Sequence, residues 1–177
     1  KRQHLQCTFL DKAMPIVTLF GDGGVFWILV AVALLFFAKY RKTGFSMGMA
    51  LILGLLVCNI FLKPQVARIR PYNFQLQEYG REITLLVKGL NDYSFPSGHT
   101  IASFEACTVL MLHDKRLGIP ATVLAILIAF SRLYLYVHYP TDVLVSVVLG
   151  ILFGILGNLI VNAVYKKFVY KGKYIEE

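Results

Sequence analysis

The sequence predicts an all-α fold, a polytopic membrane helix bundle of five transmembrane spans plus a short N-terminal interfacial helix. Two observations carry that expectation. Of the 177 residues, 57% are hydrophobic and only 16% are charged, outside the balance of a soluble domain. The charges also fall between long apolar segments, as they do where helices cross lipid. A net charge of +8 would suit nucleic acid, but the lysines and arginines form no continuous stripe, so no nucleic-acid partner is expected and membrane lipids are.

The elements follow in order. From Leu5 to Phe20 apolar residues recur at helical spacing, but Asp11 and Lys12 interrupt them and the stretch falls short of the roughly 20 residues of a span. Residues 1–21 are therefore assigned to the interface, and Gly21-Asp22-Gly23-Gly24 breaks the helix. The first span runs from about Asp22 to Tyr40 and ends in Lys39, Arg41 and Lys42. The second runs from Gly44 to Leu62, with Asn59 late in it. Residues 63–96 are too charged to span and longer than most connections, which points to function.

The third span, Ser97 to His113, carries Glu105 inside it, and Asp114, Lys115 and Arg116 end it. The fourth covers Leu117 to about Tyr134. The fifth starts at Pro140, a favourable first-turn residue, and continues to Tyr165, with Gly150, Gly154 and Gly157 spaced for close helix contact. Residues 166–177, with Lys166, Lys167, Lys171 and Lys173, form a basic tail. No repeat, second domain or signal-peptide pattern is visible, so 1–177 reads as one domain. Cys7, Cys58 and Cys107 are too scattered for a disulfide framework or zinc site and read as small buried hydrophobes.

Topology orders the polar chemistry. The basic clusters follow spans one, three and five, so alternation puts them on one side, which the positive-inside rule makes cytoplasmic together with the C-terminus. Residues 63–96 and the short Tyr136 to Tyr139 connection then face outside.

Three stretches on that outer side carry reactive groups. In Lys63-Pro-Gln-Val-Ala-Arg-Ile-Arg70-Pro71, seven positions make about two helical turns, so a continuous helix would point Lys63 and Arg70 the same way, about 10 Å apart. Arg68 would then lie on roughly the opposite face, where snorkelling at the helix end is the expected reading. The pair could clamp a phosphoryl group or snorkel at a helix end. In Pro96-Ser97-Gly98-His99, a serine and a glycine open a helix whose free N–H groups favour an anion, with His99 in the first turn. In Ser131-Arg132 to Asp142, Arg132 adds a cation while His138 and Asp142 are spaced i, i+4. A carboxylate on one ring nitrogen leaves the other free to attack. Two histidines and a carboxylate could instead hold a metal, but Lys63, Arg70 and Arg132 would repel it, so neither metal nor cofactor is expected.

Taken together, lysine, six residues, Arg-Pro, then Pro-Ser-Gly-His, then Ser-Arg, five residues, His, three residues, Asp, resembles the signature of the type 2 phosphatidic acid phosphatase (PAP2) superfamily. The resemblance extends from about Leu10 to Tyr165. It implies that His138 attacks phosphorus, Asp142 orients it, and His99 protonates the leaving oxygen and then activates water. Lys63, Arg70, Ser97, Gly98 and Arg132 would bind the phosphoryl oxygens. The implied activity is metal-independent hydrolysis of a lipid phosphomonoester or diphosphate at the outer leaflet of a bacterial cell membrane, with undecaprenyl diphosphate first, then phosphatidylglycerophosphate or phosphatidate. A lipid phosphotransferase using the same site, or a transporter whose basic outer site only binds phosphate, are the alternatives. A haloperoxidase, another branch of the family, fits poorly with five spans.

Several residues stand apart. Glu105 reads as a buried helix contact or part of a polar channel. Asn59, Asn158 and Asn162 read as interhelical hydrogen-bonding residues. Tyr72, Tyr93, Tyr134, Tyr136 and Tyr139 suit an outer aromatic belt. His4 and His113 receive no role.

Overall fold

The computed structural model describes residues 7–170. His4, Lys171 and Lys173 lie outside that range, as do residues 1–6 of the N-terminal segment. All regular structure among the described residues is helical: α1 (Thr8–Leu19), α2 (Val25–Leu35), α3 (Arg41–Gly54), α4 (Lys63–Val66), α5 (Pro71–Tyr79), α6 (Gly98–His113), α7 (Lys115–Tyr134) and α8 (Pro140–Val164). A π-helix over Leu55–Leu62 joins α3 to α4, and another over Tyr165–Tyr170 follows α8.

Four helical stretches are long and apolar enough to cross a membrane: Thr8–Leu35, Arg41–Tyr79, Lys115–Tyr134 and Pro140–Phe168. Large apolar side chains such as Leu29, Ile52, Ile126 and Leu144 are exposed along them, as lipid-facing residues must be. The protein is an integral membrane protein.

The third predicted span differs. It is α6, 16 residues long, which at 1.5 Å per residue is about 24 Å. Ile101, Phe104, Glu105, Cys107 and Leu110 are all buried, because α3, α7 and α8 pack around this helix. A helix enclosed by others need not be apolar, which is why α6 carries Thr100, Ser103 and Glu105.

The glycines of α8 do what their spacing predicts. A Cβ on Gly150 would lie 2.9 Å from the Ile101 carbonyl oxygen, and one on Gly157 would lie 2.7 Å from the Ala50 nitrogen. α8 therefore meets α6 and α3 nearly backbone to backbone. Asn158 supports this contact as expected, accepting from Ser46 Oγ at 3.3 Å, and it also lies 2.8 Å from Nε2 of His113.

Two expectations fail here. Asn59 makes no interhelical bond through its side-chain oxygen, which is buried without a partner beside Gly98. Cys7 is exposed, whereas Cys58 and Cys107 are buried.

The N-terminal helix is tied to the end of α7. Tyr134 is buried, not part of an aromatic belt, and its hydroxyl donates to Asp11 Oδ1 at 2.6 Å. Met14 packs with Tyr134, Leu135 and Val137, just ahead of His138. After α1 the helical path is kinked through Gly23 and Gly24, both at positive φ (57° and 68°), where a side chain would be strained.

Candidate active site

The path from Lys63 to Arg70 is not the continuous helix that the spacing predicts. α4 stops at Val66, and Ala67 takes a left-handed φ of 47°. Arg70 then stands in extended conformation ahead of Pro71, the first residue of α5. The kink has two consequences. Lys63 and Arg70 still converge, because both reach Asp92, Lys63 Nζ at 2.7 Å and Arg70 Nη2 at 2.6 Å. Arg68, instead of facing away, turns into the site.

His138 sits between α7 and α8 and is 4% exposed. Its Nε2 lies 3.4 Å from Arg70 Nη1. A guanidinium only donates, so Nε2 carries the lone pair there and the neutral ring holds its proton on Nδ1. Burial, opposed by Asp142 and reinforced by the charges on Arg70 and Arg132, pushes this imidazole down to about 4. Nδ1 faces Asp142 Oδ2 at 3.6 Å, beyond hydrogen-bond reach, and has no partner. The expected His–Asp bond is thus an alignment without contact. Asp142 is held by Arg68 Nη1 at 2.6 Å on Oδ1 and by the Tyr139 N–H at 2.9 Å on Oδ2.

Across from His138, His99 stands in the first turn of α6, with Nε2 2.6 Å from Asp22 Oδ1. The turn after α1 delivers that carboxylate, and a Cβ on Gly21 would come within 2.7 Å of the His99 ring. Glycine at 21 is what lets the turn approach. Arg132, in the last turn of α7, donates through Nη1 to the Thr18 hydroxyl, while its buried Nε has no partner.

Lys63, Arg70, Gly98, His99, Arg132 and His138 line one cavity of about 370 Å³, which continues inward to Asn59 and Glu105. Ser97 and Asp142 stand behind its wall. Ser97 is fully buried; its hydroxyl accepts from Thr100 Oγ1 at 3.0 Å, and its N–H donates to Ser146 Oγ at 2.8 Å. Among the described residues, no three or more His, Cys, Asp or Glu side chains are grouped to hold a metal ion. Two imidazoles facing three cations at the end of a buried helix can hold a phosphoryl group and exchange it with a ring nitrogen.

A family model for the PAP2 superfamily matches residues 39–166. The chain belongs to the PAP2 superfamily. It is 34% identical over 146 residues to an undecaprenyl-diphosphatase of Sulfolobus acidocaldarius, covering 82% of this chain and 68% of that protein. Among solved structures, the crystal structure of Aquifex aeolicus LpxE superposes with a TM-score of 0.73 at 28% identity, over 86% of this chain and 87% of that one. A PAP2-type phosphatidylglycerolphosphate phosphatase from Bacillus subtilis follows at a TM-score of 0.68 and 26% identity, over 93% and 80%.

This PAP2 protein also uses residues that no motif pointed to. Asp22, Arg68 and Asp92 each hold a motif side chain, and Thr18 holds Arg132. Arg68 stands inside the first motif stretch, though on the face that an unbroken helix would turn away, and Asp92 leaves a fainter trace as an acidic residue in the long connection that already holds two candidate cations.

Proposed function

We propose that this PAP2 protein is a metal-independent lipid phosphatase acting at the outer leaflet through a phosphohistidine. The observation that carries the reading is the convergence of His138 and His99 with Lys63, Arg70 and Arg132 on one cavity. His138 Nε2, which bears the lone pair, forms a bond to phosphorus as the bond from phosphorus to the leaving oxygen breaks. His99 gives that oxygen a proton, then takes one from the water that splits the phosphohistidine and releases phosphate. Asp142, whose Oδ2 stands 3.6 Å from Nδ1, closes that gap as the imidazolium forms, and so orients and stabilises it. The cations and the Gly98 N–H face the equatorial oxygens, where charge accumulates; Ser97 holds the helix start in place from behind.

Undecaprenyl diphosphate is the first choice of substrate, supported by the Sulfolobus relative. Phosphatidylglycerophosphate, supported by the Bacillus structure, or phosphatidate comes next. In the proposed topology α6 is a fifth, central crossing, the site faces outside and the basic tail lies in the cytoplasm. α1 lies in the outer interface. Its attachment to the site end of α7 supports that placement, as do its exposed Phe9, Ile16 and Leu19.

The test is phosphate release from a panel of lipid phosphates and diphosphates, with chelator present, by wild type and His138→Ala. Release by wild type and at least about a thousandfold loss in the variant are expected. Chelator-sensitive activity would remove the metal-free claim, and full activity in His138→Ala would remove the nucleophile. An acceptor alcohol in a parallel arm reports any phosphotransfer.

A further inference from the structure

Arg70 is assigned to the phosphate, yet none of its N–H groups is free. Nε donates to the Asp92 carbonyl oxygen at 2.9 Å, Nη2 to Asp92 Oδ1 at 2.6 Å and to the Tyr93 carbonyl at 3.3 Å. Nη1 donates to the Val137 carbonyl at 2.8 Å and faces His138 Nε2. Those are all five donors of a guanidinium. Lys63 shares one of these partners, for its Nζ meets the second carboxylate oxygen of Asp92 at 2.7 Å. One carboxylate therefore bridges the two cations, as two oxygens of a phosphoryl group would.

We infer that Asp92 is a specificity-determining residue, a resident carboxylate standing where phosphoryl oxygens bind Lys63 and Arg70, which a terminal phosphate displaces and a phosphodiester does not. The inference rests on the phosphatase reading above. Its physical basis is an exchange of anions. A phosphodiester offers one negative charge and two free oxygens, no more than the carboxylate it would replace. A terminal phosphate offers two charges and three oxygens, so the exchange favours it. The diester lipids that make up a bilayer are thereby kept off the site while the rarer terminal phosphates enter.

The surroundings of Asp92 suit this role. The side chain is 49% exposed, whereas Arg70 is 2% exposed, so the carboxylate has water to swing into and the guanidinium does not. The backbone on either side is pinned: the Tyr72 hydroxyl bonds both the N–H and the carbonyl of Leu90, and the Ser94 N–H donates to the Arg68 carbonyl at 2.8 Å. Movement is left to the side chain. The bond from Arg70 Nε to the Asp92 carbonyl survives it and keeps the guanidinium aimed. Partial burial opposes ionisation of Asp92, but the bonds from Lys63 and Arg70 outweigh it and hold the carboxyl down at about 2. It therefore stays charged and competing at any working pH.

The experiment measures calorimetric binding of inorganic phosphate and of dimethyl phosphate, a monoanionic diester, to the detergent-solubilised protein near pH 8, alongside phosphate release from lipids. Wild type should bind phosphate at least about tenfold more tightly than the diester, the scale of one charged hydrogen bond. Asp92→Asn should bind both more tightly and the diester disproportionately, so that the ratio collapses roughly tenfold. Asp92→Ser, too short to reach Lys63, should do the same and covers a folding defect in the first variant. Weaker phosphate binding in folded variants, or an unchanged ratio, overturns the assignment and makes Asp92 a support for the two cations. Wild type that neither binds phosphate nor releases it from any lipid overturns the phosphatase reading with it.

Discussion

Arg68 Nη1 lies 2.6 Å from Asp142 Oδ1 and 2.7 Å from the Thr141 hydroxyl, while the guanidinium carbon stacks 3.9 Å from the centre of the Tyr139 ring. Asp142 is fully buried, and this arginine, not His138, neutralises it. Arg68→Ala leaves a buried carboxylate without its cation. Because Arg68 is 36% exposed, the expected loss is discounted to about 2 kcal/mol, read as thermal unfolding in detergent. Activity should fall roughly tenfold to a hundredfold as Asp142 and His138 lose alignment, with Arg68→Lys in between because a point charge replaces a stacked fork. Wild-type activity in folded Arg68→Ala would show that Asp142 needs no help from this side.

The pH dependence follows from His138. Its folded proton affinity, about 4 against 6.5 for a free histidine, keeps the attacking nitrogen unprotonated in mild acid. The acid limb of kcat/KM assigned to this group should therefore lie nearer pH 4 than 6.5, measured with a soluble short-chain phosphate. Stability carries the opposite cost. A histidine depressed in the folded state takes up its proton more readily unfolded, so stability falls as pH drops from about 6.5 towards 4 and levels off below. His138→Asn should flatten that fall. A stability curve identical to wild type between those values would contradict the burial of a neutral ring.

Two glycines offer a contrast in helix packing. A Cβ on Gly118 of α7 would collide with the Met111 Cα and stand 2.6 Å from its nitrogen, main-chain atoms that cannot step aside. Gly118→Ala should force α6 and α7 apart at a cost of about 1–3 kcal/mol. A methyl group on Gly48 of α3 would meet nothing within 4 Å, so Gly48→Ala should raise stability by up to about 1 kcal/mol through helix propensity alone. Thermal unfolding of the two variants in one detergent compares them directly.

The motif residues can be read from the chain because a charge beside lipid is expensive and must be explained: Arg132, His138 and Asp142 each break or border an apolar segment, while Lys63 and Arg70 stand out by their spacing. Pairing is what escapes. Arg68 falls on the opposite face only of an unbroken helix, and one left-handed residue, Ala67, reverses it. Asp22, 77 positions before His99, and Thr18, 114 before Arg132, meet their partners only once α1 folds against the end of α7. No spacing rule spans such distances. The same limit explains α6, whose polar content says that it is enclosed only when α3, α7 and α8 are seen around it.

Asp22 meets His99 at Nε2, whereas Asp142 faces Nδ1 of His138. The two carboxylates thus bear on their imidazoles differently. A carboxylate 2.6 Å from Nε2 holds a proton on that nitrogen at the cavity wall, and a leaving oxygen that takes the place of Asp22 there receives it, which is what general-acid assistance requires. The need for that acid depends on the leaving group. An alkoxide leaves poorly without a proton, while a phosphate monoester leaving from a diphosphate is already stable as an anion. Asp22→Asn should therefore lower kcat for a lipid phosphomonoester about tenfold more than for a lipid diphosphate, with KM changed less than kcat. A merely structural loss would lower both substrates alike. Asp22→Glu, which restores the charge, should recover part of the difference, and equal losses on the two substrates would separate Asp22 from the proton transfer.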